Sequence, residues 1–224
     1  MEVLKCILER KSIRGYTDEM PPRESIEQCL EAASWAPNPT SQQPWKFIVL
    51  AGAALKQVSS VMADSYAESA AAKAALPEPA VPEKVRDELA RRKSENFGSM
   101  VAFLQEQDAD MEKLGSGIFS FQHAPLGVIF GVYPAQDQNY FKATVAAMQN
   151  FMLAATAQGL GTCWMNAVSI CQDAIKKALK LEPELLLVDG LAVGYPDSSA
   201  PVNRIPRQRL PLDAVTMWLD KEAL

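Results

Sequence analysis

The 224-residue chain has a single histidine, His123, and that scarcity removes several chemistries at the outset. A Ser-His-Asp or Cys-His arrangement would have to use His123, which stands just before the apolar run at Pro125 with no nucleophile motif beside it. A satisfied structural group is its plain reading. The four cysteines, Cys6, Cys29, Cys163 and Cys171, form no CxxC pair, and their spacing fits neither a disulfide framework nor a zinc site. Cys6 and Cys29 fall among apolar neighbours and read as small core residues. There is no Walker loop. Gly159-Leu160-Gly161 fails the dinucleotide fingerprint because Trp164 occupies the third glycine position, so nicotinamide chemistry would need a fold other than the Rossmann fold.

Positive charge is also in short supply. The net charge is -5 with 22% charged residues, which argues against a nucleic-acid-binding surface but leaves room for local basic clusters. From Ala143 to Gln172 there is no charge at all, yet Gln149, Asn150, Thr156, Gln158 and Gly159 interrupt the run. It reads as a helix buried in protein, not a membrane span. Met1 to Lys11 lacks the pattern of a secretory leader, and the expectation is a cytoplasmic protein. A chain so poor in reactive side chains suits cofactor chemistry, where the cofactor carries the hard step and the protein supplies position and electrostatics.

What is present is an alternation of helices with a few strands, an α+β or α/β pattern in one domain. Helices are expected at Glu2 to Glu9, from Pro22 through Ala33, at Leu55 to Leu76, Asn139 to Gln158 and Ala174 to Leu181. Buried strands are expected at Trp45 to Ala51, Pro125 to Tyr133 and Leu185 to Val193, with a short strand at Thr162 to Ala167. Glu83 to Lys113 reads as one or two exposed helices with an apolar stripe of Phe97, Met100, Val101, Phe103 and Leu104, part of a helical insertion or lid at about 66–114. The tail from Tyr195 carries four prolines and reads as extended, wrapping over another surface.

Two basic clusters stand against the acidic whole: Arg10, Lys11 and Arg14 around Ser12, and Arg204, Arg207 and Arg209. Each alone reads as solvated surface. Arginine pairs phosphate oxygens bidentately and serine adds a neutral donor, so the two ends of the chain meeting at one phosphate would use both. The loop from Ala36 to Trp45 reads by composition as a polar helix-to-strand connector.

Arg10-Lys-Ser-Ile-Arg14, then Ala36-Pro37 with Gln43-Pro44-Trp45, then Gly159 to Trp164, Gly194-Tyr195-Pro196 and Pro206 to Leu212, resemble in order the flavin-dependent nitroreductase family. Asp197 to Arg204 is most similar to its nitrobenzoate-reductase branch. The resemblance implies a small, mainly antiparallel sheet flanked by helices, and a homodimer with exchanged arms. It implies FMN as cofactor, NADH or NADPH as donor, and small acceptors such as nitroaromatics or quinones. In a ping-pong cycle the nicotinamide leaves before the acceptor takes two electrons. Residue by residue, it implies Arg10 and Ser12 at the FMN phosphate and ribityl end, with Arg207 and Arg209 closing on the phosphate. Lys11 would act through its backbone and Arg14 would reach the pyrimidine edge. Pro37, Asn38, Pro39 and Ser41 would come from the partner subunit, and Asn166 and Ala167 would lie beside the flavin. The family usually has Ser-Gly after Ala-Pro, and Asn where Ser41 stands; Pro39 cannot donate a hydrogen bond. The alternatives are a specialised flavin enzyme, such as a reductive dehalogenase or a dehydrogenase of one metabolite, and a flavin-binding protein without turnover.

Overall fold

The computed structural model describes residues 2–74, 80–135 and 138–219. Among them four strands form one sheet in the order β1-β2-β4-β3, every pair antiparallel. The strands are β1 (Trp45–Ala51), β2 (Leu126–Val132), β3 (Gly161–Met165) and β4 (Leu186–Gly194). The two central strands are nearly continuous apolar runs because helices cover both their faces. Phe130, Val128, Leu191 and Val193 face one core with Phe151 and Met148; Ile129, Leu187 and Ala192 face the other with Met62 and Val168. Trp45 to Ala51, expected to be buried, is an edge strand with a mixed burial pattern, paired only with β2. Trp45 and Phe47 pack into one core and Ile48 and Leu50 into the other, so it is covered on both faces but paired along one edge.

Helix α1 (Val3–Glu9) forms where its periodicity places it, but Val3, Leu4, Ile7 and Leu8 all stand exposed and only Cys6 is buried. Helix α2 (Arg23–Ser34) starts behind Pro22 and buries Ile26, Cys29 and Ala33 against helix α6 (Asn139–Ala157), whose one charged residue is Lys142. That helix lies between α2, α1 and the sheet, which is why it tolerates apolar residues on most faces. Helix α3 (Gly52–Ala74) runs straight on from β1 and includes the chain from Tyr66 to Ala74. Leu76, the expected end of that helix, lies outside the described residues. Helices α4 (Glu83–Glu106) and α5 (Met111–Gly117) follow, and Leu104 is the one stripe residue that is fully buried; Phe97 is 63% exposed. The strand expected at Thr162 to Ala167 ends at Met165, and Ala167 opens the short helix α7 (Ala167–Ile170), followed by α8 (Gln172–Leu179). The tail is extended apart from 3-10 turns at Pro201–Arg204 and Leu212–Ala214.

Two local features position the site. Ser12 lies in a parallel bridge with Thr162, and the Ile13 amide donates to the Thr162 carbonyl at 2.9 Å, so the Arg10–Arg14 segment borders the outer edge of β3. Ile13 reaches that edge because Gly161 has no side chain: a Cβ there would lie 2.7–2.9 Å from three Ile13 atoms. Phe121, Gln122 and His123 all take positive φ, at 49°, 55° and 56°. For non-glycine residues this region costs about 1–2 kcal/mol each and persists only where the surroundings hold it. Phe121 is fully buried under Gly127 and Gly190, and His123 lies within hydrogen-bond distance of the Ser116 and Ser120 hydroxyls.

Gly161→Ala should force Ile13 off β3 at a cost of about 1–3 kcal/mol, whereas Gly98→Ala, where a Cβ meets nothing within 4 Å, should be neutral or slightly stabilising. Chemical denaturation of the two variants checks this; equal midpoints would contradict the close approach.

Candidate functional site

The site is assembled from both ends of the chain. Asn203, buried within the tail, accepts from the backbone amides of Arg14 at 2.8 Å and Gly15 at 3.1 Å. Its amide nitrogen lies 2.7 Å from the Gly15 carbonyl and 2.9 Å from the Asp197 carbonyl. Gly15 is required here, since a Cβ would lie 2.5 Å from that of Ala200. Lys11 donates through Nζ to the Asn203 carbonyl at 2.6 Å, so its side chain, and not only its backbone, has work in the site. The buried Tyr16 hydroxyl lies 2.8 Å from the Ile13 carbonyl and 3.3 Å from that of Ala192, tying the segment to β4; burial pushes its pKa well up.

This clamp brings three guanidinium groups together. The half-buried Arg10 has its pKa lowered by burial and then by the charges of Arg207 and Arg209. Among the described residues no ion pair joins Arg10, Arg14, Arg207 or Arg209 to a carboxylate. Like charges gathered without a counter-charge repel, and an anion between them relieves the repulsion. The arginines are not equivalent. Arg207 already donates to the carbonyls of Arg10 at 2.5 Å and Leu8 at 2.9 Å, so it braces the N-terminal segment while adding its charge. Among the described residues Arg209 donates to the neighbouring Gln208 carbonyl alone.

Beside this cluster Arg14 borders a cavity of about 400 Å³. One wall is β3 from Cys163 to Asn166; the opposite wall is Phe97, Met100 and Val101 of α4 and Met111 and Leu114 of α5. Because β3 offers the Thr162 carbonyl to Ile13 on its outer side, the two-residue strand period turns the Trp164 amide and carbonyl the same way, along the cavity wall. Cys163 stands among Arg14, Ser12 and Arg10; burial pushes its thiol pKa up, against those three, which pull it down. It stays a protonated wall residue, not a nucleophile.

Of the residues singled out by sequence, the structure thus brings Arg10, Lys11, Ser12, Arg14, Arg207 and Arg209 into one region and puts Asn166 on its wall. Ala167, next in the chain, has its side chain buried in the core. Pro37, Asn38, Pro39 and Ser41 do not line this cavity. Their loop lies toward the start of α6, where Tyr140 donates to Gln42, and Asn38 shapes it by accepting from the Gln43 amide at 2.8 Å. Sequence reasoning missed Asn203, Gln122 and the wall role of Cys163. Only Asn203 carried a signal, as a polar residue inside the run Asp197 to Arg204.

The Nitroreductase family matches residues 7–195 of this chain. The chain belongs to the nitroreductase family. It is 27% identical over 217 residues to nitrobenzene nitroreductase of Ectopseudomonas oleovorans, covering 95% of each chain. It is 28% identical over 218 residues to 4-nitrobenzoate reductase of Pseudomonas putida, covering 90% of this chain and 89% of that one. The fold is that of the FMN-dependent nitroreductase NfnB from Mycobacterium smegmatis, solved in complex with NADPH, at a TM-score of 0.78 and 22% identity over 97% of both chains. A nitroreductase from Bacteroides fragilis, solved with bound FMN, superposes with a TM-score of 0.66 at 19% identity over 98% of this chain and 100% of that one. In this nitroreductase, then, the antiparallel sheet and its flanking helices are the family fold.

Removing the clamp of this nitroreductase by Asn203→Ala should cost about 2–4 kcal/mol, since partnered backbone groups lose a buried amide. Asn203→Asp, which keeps the acceptors and loses the donors, should fall between. Urea midpoints read both, and a wild-type midpoint for Asn203→Ala would contradict the clamp.

Proposed function

We propose that the protein is an FMN-dependent NAD(P)H nitroreductase that reduces small acceptors such as nitroaromatics and quinones in a ping-pong cycle. The observation that carries this reading is the convergence of Arg10, Arg207 and Arg209, unpaired with any carboxylate among the described residues, next to the cavity bordered by Arg14. The donor set suits a phosphate: guanidinium groups and the Ser12 hydroxyl at one end, then backbone polar groups and an arginine along a largely apolar wall. FMN, when bound, supplies the two-electron transfer between nicotinamide and acceptor that no side chain here could perform. Arg10 and Arg209 hold the phosphate, Ser12 adds a donor, and Arg207 fixes the carbonyls that orient Arg10. Arg14 carries positive charge to the cavity, where it favours electron-rich states of whatever lies against it. No acid or base is required of the protein, in keeping with its single histidine.

The functional unit in this proposal is a homodimer. Val3, Leu4, Ile7 and Leu8 on α1, Trp35 beside the Pro37–Ser41 loop, and Leu212, Met217 and Trp218 in the tail are exposed, far more apolar surface than a monomer's share of scattered residues. Covering these surfaces with a second copy would let Pro37, Asn38, Pro39 and Ser41 of the loop reach the cavity of the other subunit. Among the described residues no helix is long and apolar enough to cross a membrane.

Arg209→Ala and Arg10→Ala should each weaken FMN binding by about 10–100-fold, the worth of a charge-assisted hydrogen bond, while Arg204→Ala, on an exposed residue that does not act on Arg10, should not. Titration of apoprotein with FMN checks this, and equal affinities across the three variants would contradict the assignment. Leu4→Glu with Leu8→Glu should reduce the mass in light scattering from two protomers to one and release FMN; an unchanged mass would contradict the dimer reading.

A further inference from the structure

Gln122 is the one buried polar side chain on the wall of the cavity whose presence the cofactor reading leaves unexplained. It is 7% exposed, and among the described residues its amide has no hydrogen-bond partner except the Met165 sulfur, a weak acceptor at 4.0 Å. An amide held this weakly on a cavity wall remains available to pair with whatever lies against it. Its placement is enforced. Phe121 is locked in the core and His123 is pinned outside by serines, so the left-handed turn between them presents Gln122 to the cavity. Gly117 makes room for it, since a Cβ there would lie 2.6 Å from the Gln122 side-chain oxygen.

The rest of the wall is equally selective. Across from β3 it is Phe97, Met100, Val101, Met111, Leu114 and Ile118; among the described residues no lysine and no carboxylate lines the cavity, and Arg14 is the one charged residue that does. If Arg14 is engaged with the cofactor, nothing is left to pair with a charged substituent on the acceptor. From this we infer that Gln122 is a specificity-determining residue that donates its amide N–H to an acceptor oxygen, and that the cavity takes flat, uncharged aromatic acceptors in preference to carboxylated ones. The inference rests on the nitroreductase reading and narrows its substrate class. A carboxylate entering against α4 and α5 would lose its hydration with no compensating partner, whereas a neutral ring exchanges water for apolar contact.

The test compares kcat/KM for nitrobenzene and 4-nitrobenzoate in the FMN-loaded protein. Nitrobenzene should be favoured at least about tenfold, in line with the cost of an unpaired charge. Gln122→Leu, close in volume, should lower kcat/KM for nitrobenzene about three- to tenfold, the worth of one hydrogen bond, through KM more than through kcat. Leu114→Lys, which adds a cation on the α5 wall without touching the turn, should narrow the preference by raising activity on 4-nitrobenzoate, and so gives an independent reading if Gln122→Leu does not fold. Equal use of both acceptors by the wild type, or unchanged nitrobenzene kinetics in a folded Gln122→Leu protein, would overturn the inference. So would a fall in FMN affinity in Gln122→Leu with nitrobenzene KM unchanged, because the amide would then serve the cofactor. A wild-type protein that binds FMN and is reduced by NADPH but fails the acceptor comparison sinks only this inference; one that binds no FMN sinks the redox reading beneath it.

Discussion

A single buried amide joins the two ends of the chain. Asn203 engages the backbone of Arg14, Gly15 and Asp197, and Lys11 closes on its carbonyl. Backbone bonds reinforce that junction: the Asp197 amide donates to the Gly15 carbonyl and the Thr17 amide to the Tyr195 carbonyl, each at 3.0 Å. Around it the Arg10–Arg14 segment lies against β3, Arg207 donates to the carbonyls of Leu8 and Arg10, and Arg209 acts on Arg10 through its charge. The amide makes these bonds at about 1 kcal/mol net each, yet their larger effect is geometric.

The junction also holds the arginines in an unfavourable arrangement. Arg10, Arg207 and Arg209 gather with no carboxylate paired to them among the described residues, and an anion bound between them would relieve their mutual repulsion. The cavity next to it works by a different contrast. Its walls are apolar, its one charge is Arg14, and its one ill-satisfied buried amide is Gln122. Repulsion thus points to a phosphate at one end and desolvation to a neutral ring at the other, with the edge of β3 between them.

Much of this was readable in the amino-acid sequence, and the reasons differ by element. The central strands were legible because both of their faces are buried, leaving runs such as Leu126 to Val132 without a polar residue. The edge strand β1 looked the same over seven residues, since edge and centre differ in pairing and not in hydrophobicity. The arginines were legible as clusters, but that they meet came only through resemblance to a family; spacing alone cannot bring residue 10 beside residue 209. The carbonyl-bracing role of Arg207 could not be read, because side-chain partners across such a separation leave no local pattern. Nor could Gln122, whose importance lies in three consecutive positive φ angles that nothing in Phe-Gln-His announces. Helix α1 was legible from its apolar spacing, but what covers its exposed stripe was not, because that surface belongs to the proposed dimer.

The central claim is that basic groups from opposite ends of one polypeptide form a mononucleotide site serving two-electron transfer. The most direct test is the visible absorbance of the purified protein, supplied with FMN, before and after anaerobic addition of NADPH. The account predicts a yellow protein that retains its flavin through gel filtration and bleaches on reduction. A protein that leaves the column colourless, or whose retained flavin keeps its colour under NADH and NADPH alike, would contradict it.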